Sequence, residues 1–100
     1  MMKILRISGR SLEPDFWDGD YVLVSKIPLR IRLARRGDVV AFRKPPYGLL
    51  IKRVEYLTPE GELFVLGTHT ASVDSLQFGP IRQQDLLGKV IAHVKKPRRR

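Results

Sequence analysis

Ser8 and Ser11 stand in the stretch SGRSLEPDFWDGDYVLV (8–24), among Gly9, Pro14 and four carboxylates, directly before a strand-like run. A serine hydroxyl is a weak nucleophile until a neighbouring base takes its proton. No obvious base adjoins either serine, so a partner must come from elsewhere in the chain. The segment GLLIKRVEYL (48–57) offers one. Read as a strand, it places Leu50, Lys52, Val54 and Tyr56 on one face and Ile51, Arg53 and Glu55 on the other. Lys52 is then a single ammonium in an apolar row. Apolar surroundings disfavour the charged amine, bringing a lysine that ordinarily titrates near ~10.4 towards the roughly 7–8 that suits a general base. A neutral lysine amine can then deprotonate a serine hydroxyl. In such a pattern the commoner arrangement is a lysine stem lying over the sheet edge with its amine in water.

Other chemistries find little support in the residue types. The chain has no cysteine, which removes disulfides, thiolate metal sites and cysteine nucleophiles together. His69 and His93 are the only histidines, and neither has a metal-ligand companion at a usual spacing. No metal and no cofactor is expected, and His69 reads as a solvated loop residue. No apolar run approaches the ~20 residues of a membrane-spanning helix, and MMKILRISGR is too short and too soon interrupted for a secretory segment. A soluble, cytoplasmic protein without a membrane anchor is expected. Nineteen Lys and Arg against ten Asp and Glu give a net charge of +9. That charge attracts polyanions, yet Phe42, Tyr47, Tyr56, Phe64 and Phe78 are too dispersed for the stacking platform of a nucleic-acid-binding barrel.

The elements that must position Ser11 and Lys52 are short. Apolar runs at 3–7, 21–27, 38–44, 49–57, 62–67 and 86–94 are separated by turn signals such as Gly19-Asp20, Pro45-Pro46-Tyr47-Gly48 and Thr58-Pro59-Glu60-Gly61. Residues 68–80 read as a long polar loop, and Arg82–Leu86 as a single helical turn. The expected fold is all-β: one sheet of short, mostly antiparallel strands coiled into a small barrel or sandwich, with at most one short helical turn. One domain over residues 1–94 is expected, followed by a basic, disordered tail over 95–100.

Five blocks then carry a resemblance: SGRSLEPDFWDGDYVLVSK, RRGDVVAFRKP, LLIKRVEYL, LGTHTASVDSLQFGPI and LLGKVIAHV. Their order and spacing resemble the serine–lysine peptidases, the signal peptidase I family and its relatives, which include the self-cleaving repressors of the SOS response. The resemblance implies Ser11 as nucleophile, Lys52 as general base and Ser72 as a hydroxyl that orients the lysine amine. It also implies the Ser11 N–H as one oxyanion donor. The position two residues before the nucleophile, a serine in some relatives, is Gly9, so the second donor stays unassigned. The family's G-D-N reads Gly67-Thr68-His69 here, and the arginine of its D-S-R is Leu76. One acid and one base have gone. The survivors, Arg53 and Asp74, are expected to pair directly and keep the 68–80 loop docked under Lys52. Phe16 and Trp17 either line the substrate cleft beside Ser11 or pack at the barrel mouth.

Within the family, GRSLEP and VDSLQFGP resemble most the small soluble maturation proteases of nickel-type superoxide dismutase. That implies removal of a leader peptide from a protein substrate, with any nickel belonging to the substrate. The alternatives are a self-cleaving repressor-type domain, for which the chain has no Ala-Gly target, and a catalytically weak peptidase fold used as a binding module, nucleic acid included.

Overall fold

The computed structural model describes residues 2–8, 15–26, 33–67 and 73–95. Six strands, β1 (Met2–Arg6), β2 (Tyr21–Ser25), β3 (Val39–Lys44), β4 (Gly48–Leu57), β5 (Leu63–Leu66) and β6 (Leu86–Val94), form one sheet in the order β1-β2-β6-β3-β4-β5. Every pairing is antiparallel. The chain is all-β, as the turn-separated apolar runs require. Among the described residues no helix is long and apolar enough to cross a membrane.

β3 explains how one sheet supports two cores. Its first four residues, Val39 to Phe42, are all buried, and successive side chains point to opposite faces. Val40 and Phe42 join Val54, Leu63, Val65 and Leu86 on one face. Val39 and Ala41 join Ile7, Phe16, Val22 and Val24 on the other. The sheet also coils on itself. Arg6, Ile7 and Ser8, at the end of β1, line the same cavity as Leu49 to Lys52 of β4, although three strands separate β1 from β4 in the sheet order.

Three local features differ from the periodic reading. The register of β4 against β5 slips between Val54 and Tyr56. This bulge inserts one residue and reverses the side-chain alternation. Tyr56 therefore leaves the Lys52 face and stacks on Phe64, with ring centroids 4.8 Å apart. The segment read as a loop contains a short helix, α1 (Ser75–Phe78). Asp74 caps it: its carboxylate accepts from the Leu76 N–H, and Gln77 reaches back to the Asp74 N–H. Gly79, at φ 82, ends it before Pro80. The expected turn at 82–86 is a 3-10 turn over Gln83–Asp85, so two short helical segments stand where one was expected.

At Gly88 of β6 an added Cβ would lie 2.5 Å from the Ser25 carbonyl oxygen of β2. The obstacle is backbone and cannot rotate away. Gly88→Ala is expected to cost about 1–3 kcal/mol, read as a lowered midpoint in chemical denaturation.

Candidate active site

Lys52 lies midway along β4, opposite Val40 of β3, and is 3% exposed. It shares a face with Leu50 and Val54, as the strand alternation predicts. Val40 is also opposite Lys89 of β6, so two buried lysines flank one valine on the same face. Their fates differ. Lys89 Nζ lies 2.9 Å from Asp38 Oδ2, an ionic contact without the direction of a hydrogen bond. Lys52 takes part in no ion pair among the described residues. Burial lowers its amine below the ordinary 10.5, and the Asp74 carboxylate partly opposes that shift. A buried lysine without an ion pair among the described residues costs stability, which argues for a chemical use.

The neighbouring residue faces the other way, and this overturns the expected Arg53–Asp74 pair. Arg53 Nη2 lies 2.6 Å from Asp15 Oδ2. Asp74 belongs to the Lys52 side: it acts on the Lys52 amine and accepts from the N–H groups of Gly67 (3.2 Å) and Leu76 (3.0 Å). Adjacent strand residues start from opposite faces, which directs Arg53 away from the carboxylate beside Lys52. Leu76, at the position where the resemblance implies arginine, is 74% exposed, and its own backbone N–H donates to Asp74. Ser75 completes the docking, its Oγ accepting from the Val65 N–H at 2.9 Å. The segment after residue 72 is thus held to β5 without arginine.

Asp15 and Arg53 are partly exposed, so their pair contributes under about 1 kcal/mol. Asp15→Asn is expected to lower stability by no more than that, and the difference should vanish at high salt. Denaturation midpoints at two salt concentrations measure it.

The base of the serine-bearing loop is closed by backbone hydrogen bonds. The Ile7 N–H donates to the Asp20 carbonyl at 2.7 Å, and the Gly19 N–H donates to the Ile7 carbonyl at 2.8 Å. Asp20 is fully buried; its Oδ2 accepts the Trp17 N–H and lies 2.8 Å from His93 Nε2 on β6. Phe16 is 8% exposed within the second core, its ring centroid 4.4 Å from that of His93. Trp17 is 39% exposed. Neither aromatic is among the residues lining the cavity beside Lys52. Asp15, Asp20 and His93 were not singled out from sequence. The first two were submerged in a run of four acids, and His93 in an alternating strand; only the three-dimensional pairing separates them.

Ser11, Ser72 and His69 lie outside the described residues. What the described residues provide is a cleft of about 280 Å³ lined by Arg6, Ile7, Ser8, Leu49, Leu50, Ile51 and Lys52. Both of its walls have bare strand edges among the described residues. β1 is the outermost strand. β4 pairs with β5 only from Arg53 onward, leaving Gly48 to Lys52 paired with β3 alone. Bare edges offer backbone hydrogen bonds to an extended peptide.

The description "Signal peptidase, peptidase S26" matches residues 1–57, a span that includes both Ser11 and Lys52. The chain is also 25% identical to signal peptidase I V of Bacillus subtilis (strain 168), in an alignment covering 85% of this chain and 81% of that protein. A family match over more than half of the chain, ending with the strand that buries Lys52, decides its kinship: the protein belongs to the signal peptidase family S26, whose members are serine peptidases acting on proteins.

Proposed function

We propose that the protein is an endopeptidase in which Ser11 attacks and Lys52 is the general base, removing a leader from a protein substrate. The observation that carries the reading is Lys52 itself, buried, without an ion pair among the described residues and lining a cleft whose strand edges are bare among those residues. Chain geometry is compatible with it. Ser8 lines the same cleft as Lys52 and stands three positions before Ser11 in the sequence.

In this mechanism an extended peptide pairs with the edges of β1 and β4. The neutral Lys52 amine takes the Ser11 hydroxyl proton as Oγ adds to the scissile carbonyl. The Ser11 N–H stabilises the oxyanion. Lys52 returns the proton to the leaving amine, leaving an ester on Ser11 that Lys52-activated water hydrolyses. Ser72 would hold the amine towards Ser11. A leader-bearing metalloenzyme precursor, such as that of nickel-type superoxide dismutase, is the substrate the GRSLEP and VDSLQFGP blocks favour.

The test is a set of leader–mature junction peptides with small residues before the bond, incubated with the protein and read by mass spectrometry. One defined cut per substrate supports the reading. No cut in any peptide by folded protein would contradict it.

A further inference from the structure

We infer that the pocket between β1, β2 and β6 is a second recognition site, taking an acidic side chain of the substrate several residues from the bond that is cut. This rests on the peptidase reading and extends it from chemistry to substrate choice. The pocket has a volume of about 140 Å³ and is lined by Lys3, Leu5, Val24, Lys26 and Leu87. Lys3 lies opposite Val24 across the β1–β2 pair. Lys26 lies two residues beyond Val24, just past the end of β2, which puts it on the same side by alternation. The two residues are therefore diagonal neighbours lining one pocket, and like charges so placed repel. Neither forms an ion pair among the described residues, and both residues are exposed. An anion between them relieves that repulsion. The floor of Leu5, Val24 and Leu87 suits a short methylene stem, so glutamate or aspartate fits better than a bare ion.

Position ties the pocket to the cleft. The edge of β1, bare among the described residues, runs from Met2 to Arg6, and the chain continues through Ile7 to Ser8 in the cleft with Lys52. At ~3.3 Å per residue, Lys3 lies about 17 Å along the strand from Ser8. A peptide paired along this edge reaches the pocket four to six residues from the bond beside Lys52. Alternate side chains point to the pocket side, so one position in that window is selected and its neighbours are not.

The experiment compares peptides that differ only in carrying Glu, Gln or Lys at each position from four to six residues on either side of the scissile bond. Glu at one position should lower KM about fivefold relative to Gln with kcat little changed, as expected for uniform binding through exposed ion pairs. The Glu-to-Gln ratio should fall to about one in the Lys3→Gln/Lys26→Gln protein and at high salt. Charge reversal, Lys3→Glu/Lys26→Glu, should favour the Lys peptide instead. Anisotropy with labelled peptides on the Ser11→Ala protein reads the same Glu-to-Gln ratio as a Kd. If the wild-type protein cuts nothing, the peptidase reading falls while this arm still decides the pocket. Equal Kd for the Glu and Gln peptides at every position, or a Glu preference that survives removal of both lysines, overturns the inference.

Discussion

Ser11→Ala and Lys52→Ala are each expected to lower cleavage of a leader peptide by at least about a thousandfold, with the double variant no slower than either single one. Nucleophile and base act as one unit, so removing the second member takes away nothing the first had left. Stability should separate the two positions. Lys52 titrates below 10.5 when folded because it is buried. Between that lowered value and 10.5 the unfolded chain binds more protons, so stability rises with pH through this window and the full penalty is present below it. Lys52→Met removes the buried amine and keeps the stem. It should gain on the order of 1 kcal/mol near neutral pH, lose the rise of stability at high pH, and be inactive. Denaturation curves across pH, alongside kcat/KM, read all three. An Lys52→Met protein that is both active and less stable would make the lysine a structural residue.

The second large effect is on the pH dependence of cleavage. Only the free amine of Lys52 accepts a proton, so kcat/KM should rise with pH through the amine's titration. Burial moves that rise below the ordinary lysine range, and the Asp74 carboxylate holds it higher than burial alone would. Asp74→Asn removes the charge and keeps a side chain able to cap α1. The rise should therefore move to lower pH, leaving the variant relatively more active on the acid side. A purely structural role for Asp74 would lower the rate at every pH and leave the midpoint in place. That pattern, or a midpoint shifted upward, would show that Asp74 does not act on the lysine through its charge.

The strands were legible because apolar alternation and turn residues are local signals. The position of Lys52 on an apolar face followed from the same period. Tyr56 escaped that logic because one bulged residue between Val54 and Tyr56 reverses the faces, and a bulge leaves no composition signal in KRVEYL. The partner of Arg53 escaped for a different reason. Counting missing charges pointed to Asp74, whereas strand alternation had already put Arg53 and Lys52 on opposite sides. Carried one step further, alternation would have sent Arg53 away from Asp74. Helix α1 was hidden by its length: four residues carry no period, and only Asp74 followed three positions later by Gln77 marked its start. The approach of β1 to β4 was beyond any local reading. It arises from coiling of the whole sheet, which brings Ser8 and Lys52 to one cleft from distant strands.

If Ser11 is the nucleophile and Lys52 its base, acylation falls on Ser11 and depends on Lys52. A slowly hydrolysed activated ester of a leader-like peptide, mixed with the protein and quenched in acid, gives the direct measurement by peptide-mapping mass spectrometry. One acyl group is expected on Ser11 in the wild-type protein, none in Ser11→Ala, and little in Lys52→Ala near neutral pH. Acylation of Ser8 or Ser72 in place of Ser11, or equal acylation of Ser11 with and without Lys52, would contradict it.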